Sequence, residues 1–223
     1  MCTGPDYAAR TWQAASDFIE RGGVDLFTRP ATEMKCAGAP LKHVSDRRPR
    51  QAKRQWRSEI IYASSSTLFG VPIVAEKVRM LFADRGGIRP ALSHVLKRID
   101  RGGGSPRLRR DGDTELGYDY LHVVPPQRAP RSCQSGLSWA DKWTDQGWVE
   151  VDKQTRCCLR YPDVFALGDV AGVPKGKTAA SIVLECRWSR IIWLRRSRAG
   201  RARHIYNGYT SCPMITRVEP ARC

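Results

Sequence analysis

Apolar and small residues recur at helical spacing from Tyr7 to Ile19, at Ala8, Trp12, Ala15 and Ile19, and predict a helix with that face turned inward. Gly22-Gly23 ends it. Val24 to Thr28 reads as a short strand, and Ile60-Ile61-Tyr62-Ala63 as a buried one. Val74, Val78, Leu81 and Phe82 then mark one face of a helix expected near 73–84. Strand, loop and helix in that order predict a parallel α/β sheet. Gly102-Gly103-Gly104 and Asp111-Gly112-Asp113 punctuate hairpin-like strands, and Thr114 to Val124 closes that block before Pro125-Pro126. Val164 to Leu167 reads as a short buried strand.

The turn Ser64-Ser65-Ser66-Thr67-Leu68-Phe69-Gly70 lacks G-x-G-x-x-G, and so does the rest of the chain. Close approach of backbone to a nicotinamide dinucleotide's pyrophosphate needs those glycines, so this α/β unit is expected not to bind one. The stretch Tyr161 to Ser181 carries more chemistry. Its Gly168-Asp169 turn places an acid where it can bond a flavin's ribityl hydroxyl. Lys177 and Thr178 open the next helix, whose N-terminus can face the ring's pyrimidine edge, where negative charge collects on reduction. The alternatives are a helix-capping role for Asp169 and a solvated charge for Lys177. Gly172 to Thr178 also approaches a P-loop, but three residues separate its glycines where four are needed, and Pro174 removes an amide from the cradle.

Four segments carry a family resemblance: Pro30-Ala-Thr-Glu-Met-Lys35-Cys36-Ala-Gly-Ala-Pro40, Tyr120-Leu-His122-Val-Val-Pro125-Pro126, Tyr161 to Ser181, and Tyr206-Asn-Gly-Tyr-Thr-Ser-Cys212-Pro213. In that order they resemble sulfide:quinone oxidoreductases, flavoproteins of the two-dinucleotide-domain disulfide-reductase type. The resemblance covers about residues 7–42, 58–181 and 206–216. It implies an α/β, Rossmann-like flavoprotein fragment with FAD as cofactor, sulfide and quinone as substrates, and peripheral association with a membrane. It implies Cys36 and Cys212 as the catalytic pair, one carrying sulfide sulfur and the other completing a bridge that passes electrons to the flavin. Gly168, Asp169, Lys177 and Thr178 become the cofactor-binding residues, and no metal is implied. Lys35, beside Cys36, would favour its thiolate. His122 reads either as a proton shuttle near the quinone or as a buried strand-end histidine. Another FAD-dependent dehydrogenase, such as a flavocytochrome-type sulfide dehydrogenase, is the alternative within the class.

The resemblance also divides the chain. Residues 1–124 are expected to form a second Rossmann-like domain, 125–182 the returning part of the FAD-binding domain, and 183–223 a degraded segment that keeps the Cys212 motif. The family's N-terminal pyrophosphate-binding unit would lie before residue 1 and its membrane anchor after Thr216, so the chain is expected to be a truncated fragment, inactive alone. No run approaches the roughly 20 apolar residues of a membrane span, and the N-terminus lacks a signal-peptide core, which suits a peripheral membrane or cytoplasmic protein.

Charge changes the picture at two places. The net charge of +16 concentrates in residues 43–57 and in residues 186–203, which carry seven arginines and no acid. Both stretches interrupt the resemblance. Arg-rich, Trp-bearing islands inside a scaffold read as out-of-frame translation of a GC-rich gene, and both are expected to pack poorly. The competing reading is a basic protein that docks nucleic acid or anionic lipid through those patches. The eight cysteines include no CxxC, and adjacent Cys157-Cys158 reads as two unpaired thiols near a turn.

Overall fold

Strand β1 (Val24–Thr28) lies inside a four-stranded parallel sheet with order β3-β2-β1-β7. Its partners are β2 (Glu59–Ser64) on one side and β7 (Tyr120–Val123) on the other, and β3 (Ile88–Leu92) pairs with β2. The computed structural model describes residues 5–45, 58–99, 107–110, 112–131, 146–174, 177–196 and 205–214. The chain divides into two compact units. One comprises Met1–Ala31, Gly38–Pro126 and Met214–Cys223, and the other Thr32–Ala37 and Gln127–Pro213.

In the first unit the period of two along each strand builds two cores. Phe27, Ile60 and Tyr62 point to one face, where they meet Val78 and Phe82 of α3 (Pro72–Arg85) and Leu41 and Val44 of α2 (Ala39–Ser45). Leu26, Ile61 and Ala63 point to the other, with Ala91. Burial on both faces is what a parallel sheet requires. Each of the large side chains in these layers contributes about 1.5–3 kcal/mol by leaving water. The strand expected at 60–63 and the helix expected at 73–84 are therefore present, each longer by one residue at either end. Strands β4 (Val95–Arg98), β5 (Arg107–Arg110) and β6 (Gly112–Glu115) form the antiparallel sheet that the glycine punctuation predicts.

Helix α1 (Pro5–Arg21) starts and ends near its expected bounds but turns a different face inward. Ala15 and Phe18 are buried with Tyr120, the Phe18 and Tyr120 rings standing 5.5 Å apart. Trp12 is 65% exposed. Two helical series share Ala15, and Phe18 wins because Tyr120 on β7 faces it.

The second unit is built around Val149, Val151, Cys158, Ala166, Ala171 and Val173. Its sheet is short: β8 (Val149–Glu150) pairs in parallel with β9 (Ala171–Gly172). The strand expected over Val164 to Leu167 is not formed. Pro162 and Asp163 sit in a tight turn closed by the Val164 N–H donating to the Tyr161 carbonyl at 3.0 Å. The chain then touches its neighbour through one bridge, Phe165 to Cys157, and Val164 is exposed. Asp169 consequently precedes a strand, in the 3-10 turn Gly168–Val170, where the sequence places it after one.

Helix α4 (Ala179–Arg196) runs well into the second Arg-rich stretch. That stretch is helical as far as Arg196 and buries Ser189 and Ile192, so it packs better than its composition predicts. Residues 46–57 and 197–203, the remainder of the two basic stretches, lie outside the described residues.

Candidate functional site

All six residues singled out by the sequence lie in the second unit. Cys36 and Cys212 are 176 positions apart in sequence, yet their sulfurs stand 2.9 Å apart, both half-buried. A disulfide spans about 2.05 Å, so a small approach converts this contact into a bond. Cys36 sits at φ 47°, in the left-handed region that a side chain with a Cβ rarely occupies. Its backbone is held there. The Cys36 N–H donates to the Lys177 carbonyl at 2.8 Å, the Lys35 N–H to Gln127 Oε1 at 2.8 Å, and the Glu33 N–H to Gln146 Oε1 at 3.0 Å. Gln146 returns its amide to the Glu33 carbonyl at 2.9 Å. Neither glutamine belongs to a motif, and only the fold brings them to this strand of chain.

The turn at Gly168 is equally constrained. Its φ is 68°, and a Cβ there would stand 2.7 Å from Ile182 Cδ1. Its N–H donates to Glu185 Oε2 at 2.7 Å. Asp169 next to it is half exposed, and its carboxylate pairs with Lys35 Nζ at 3.4 Å. An exposed pair of this kind contributes at most about 1 kcal/mol. It also directs the Lys35 ammonium to Asp169, whereas the sequence suggested service to the Cys36 thiolate.

Lys177 is a buried residue, not a solvated one. Its ammonium donates to the carbonyls of Asp169 and Ala171, each at 2.8 Å, and lies 4.1 Å from the centre of the Trp148 ring. Glu33 Oε2 is 3.9 Å away. The charge is thereby spent on holding the turn, since a buried ammonium needs such partners. Thr178 precedes α4: its hydroxyl accepts the Ser181 N–H at 3.2 Å, bonds Ser181 Oγ at 2.8 Å and reaches Thr210 Oγ1 at 3.1 Å. It therefore caps the helix and ties it to the segment that carries Cys212.

Sequence reasoning missed a buried ion pair. Arg156 and Glu185 meet at 2.9 Å with 3% and 1% of their side chains exposed. The Arg156 guanidinium also stacks on the Tyr206 ring, 4.6 Å from its centre. A signal was available: Glu185 is the one acid between Asp169 and Glu219, and it stands four residues from both Ser181 and Ser189, on one helix face. Cys158 is buried in the core, and Cys157 Sγ lies 3.1 Å from the Pro162 carbonyl. His122 stacks on Phe27 at 5.2 Å within the first unit. Among the described residues there is no cluster suited to a metal ion, and no helix is long and apolar enough to cross a membrane.

Comparison with known proteins gives this geometry a context. Over 221 residues the chain is 32% identical to the mitochondrial sulfide:quinone oxidoreductase of Mus musculus, covering 93% of this chain and 46% of that protein. The enzyme of the same name from Dictyostelium discoideum is 30% identical over 219 residues, 95% of this chain and 47% of the relative. The chain is homologous to sulfide:quinone oxidoreductases. It spans about half the length of these relatives. No protein-family model matches it. The solved sulfide:quinone oxidoreductase of Aquifex aeolicus superposes with a TM-score of 0.62 at 16% identity, over 77% of this chain and 41% of that one. The chain thus shares the α/β fold of that solved oxidoreductase structure's matching part.

Proposed function

We propose that this chain carries the sulfur-handling pair of a flavoprotein that oxidises sulfide and delivers the electrons to a quinone. The observation that carries the reading is the 2.9 Å contact between Cys36 and Cys212. In the oxidised pair, hydrosulfide attacks one sulfur of the disulfide. The S–S bond breaks, one cysteine leaves as a thiolate, and the other becomes a persulfide. Sulfide is oxidised by two electrons to sulfane sulfur, and the disulfide is reduced by the same two.

The residues of the second unit fit a flavin. The Asp169 carboxylate is accessible at the Gly168 turn, which packs closely on Ile182 of α4, and the first turn of α4 carries no acid to repel the ring's electron-rich edge. Asp169 and the leading amides of α4 would hold the group, whereas Lys177 supports them from behind. FAD, when bound, supplies the acceptor that takes the thiol pair's electrons on toward quinone. The left-handed backbone of Cys36 and its bond to the Lys177 carbonyl keep the first sulfur at a fixed distance from this turn.

The test uses the chain itself. Glutathione disulfide should oxidise the pair, giving a Cys36–Cys212 bond and two glutathione molecules, read by mapping the linked peptides. Hydrosulfide should then add one sulfur atom's mass to one of those two peptides. Cys36→Ser and Cys212→Ser should each abolish both products. Bonds spread over the other cysteines, with none between Cys36 and Cys212, would refute the reading.

A further inference from the structure

We propose that the buried Arg156–Glu185 pair is a positioning unit for the thiol pair: it ties the Gly168 turn, helix α4 and the Cys212 segment together, and so sets how often Cys212 meets Cys36. The inference rests on the sulfur-relay reading above. Glu185 stands at the junction of two bonds. One oxygen accepts the Gly168 N–H at 2.7 Å and the other accepts from Arg156 at 2.9 Å. Arg156 extends the connection. Its second terminal nitrogen donates to the Lys153 carbonyl at 3.0 Å, and its plane covers the Tyr206 ring.

Tyr206 begins the segment that ends at Cys212. It is buried, its N–H donates to the Gln154 carbonyl at 2.9 Å, and its hydroxyl donates to the Tyr209 carbonyl. A second side-chain link, between Thr210 and Thr178, ties this segment to the residue that caps α4. Arg156 is itself held in a left-handed backbone, φ 61°, with its carbonyl accepting the Ala166 N–H at 3.0 Å, two residues before the turn. A buried pair of this kind gives little net stability compared with apolar residues of the same volume, and its attested use is to fix one arrangement among several. Here it joins elements brought together from positions 156, 168, 185 and 206: Tyr206 opens the segment that carries Cys212, and Asp169, next to Gly168, pairs with Lys35 beside Cys36.

The decisive quantity is the effective concentration of the two thiols for each other, read from the equilibrium of the dithiol with glutathione disulfide, which gives the protein disulfide and two glutathiones. Glu185→Gln keeps an acceptor for Gly168 but removes the charge that anchors Arg156. Tyr206→Leu cuts the link to the Cys212 segment without leaving Glu185 unpaired, and serves if Glu185→Gln does not fold. Both should lower the effective concentration by about tenfold. Ile192→Ala opens a cavity in the same helix without touching the network, and at a matched loss of melting temperature it should leave the value unchanged. Equal values in Tyr206→Leu and the parent, or an equal fall in Ile192→Ala, would overturn the proposal. Hydrogen exchange at the Gly168 amide separates the two readings. If the parent forms no Cys36–Cys212 bond, the sulfur relay fails. The positioning unit then stands if Gly168 protection and order over 206–210 fall together in Tyr206→Leu, and fails if they do not.

Discussion

Replacing Lys177 by Met discriminates between a lysine that serves a ligand and one that holds its own loop. The side chain is 4% exposed, and Met fills most of the same volume without the ammonium. Two carbonyls, of Asp169 and Ala171, lose a charged donor at 2.8 Å. Each hydrogen bond to a charged group is worth about 1.5–3 kcal/mol, and the Trp148 contact adds up to about 2 kcal/mol when desolvated. Against this, the variant no longer buries an ammonium, which returns several kcal/mol of desolvation. The net expectation is a loss of about 1–3 kcal/mol, most of it the cost of depriving the Asp169 carbonyl of its charged donor, since the Ala171 carbonyl keeps the Val173 N–H. Because the chain has two units, the loss is best read locally, by native-state hydrogen exchange across residues 166–174, rather than from one global transition. Faster exchange there, with the first unit's sheet unchanged, is the expected result. A lysine whose role was only to meet a ligand would, in the ligand-free chain, shift stability by no more than about 0.5 kcal/mol. A change that small would refute the structural role.

Tyr62→Phe should raise the stability of the first unit by about 1 kcal/mol in denaturant unfolding, because the buried Tyr62 hydroxyl finds no hydrogen-bond partner among the described residues. Burial also pushes the Tyr62 phenol up to about 12, against a smaller opposing pull from Arg29. The folded state therefore holds its proton where the unfolded state releases it. Stability should fall as pH rises from about 10 toward 12, and this alkaline loss should be smaller in Tyr62→Phe. Asp152 behaves in the opposite sense: burial raises its pKa, but bonds from the Thr155 amide and hydroxyl and the Gln154 amide, with the Arg156 charge, outweigh this and lower it. Its contribution is present above the unfolded carboxylate's pKa of about 4 and is lost as pH falls through the folded value. Exchange of the Gln154 and Thr155 amides should quicken in that acid range, and Asp152→Asn should abolish the pH dependence.

The parallel sheet was legible because the physics that forms it is local and periodic. Ile60 and Tyr62 alternate with Ile61 and Ala63, and each set meets its own apolar layer. The second unit was less legible because its sheet has two-residue strands, too short to show a period. Val164 to Leu167 has a strand's composition, but Pro162 and Asp163 impose a turn just before it, and the pairing passes to Ala171 and Gly172. Helix α1 shows the limit of periodicity: two faces satisfy the spacing, and only the position of Tyr120, a hundred residues on, selects Phe18 over Trp12.

The same distinction runs through the site. Cys36 and Cys212 were identified by motif, and no sequence pattern could have put their sulfurs 2.9 Å apart, since the contact depends on Gln127, Gln146 and Lys177 pinning residues 33–36. Charge was the more misleading signal. Read along the chain, Arg156 and the arginines after Cys186 carry no motif, and Lys177 is open to two roles, a flavin contact or a solvated charge. In three dimensions two of them are nearly water-free, and each is there because specific acceptors surround it: loop carbonyls for Lys177, Glu185 for Arg156. A buried cation without such partners would cost several kcal/mol, so its burial is evidence of a fitted environment. Glu185, the residue before the Arg-rich segment, shows the converse: a carboxylate 1% exposed is accommodated there because an arginine and a turn amide both bond it.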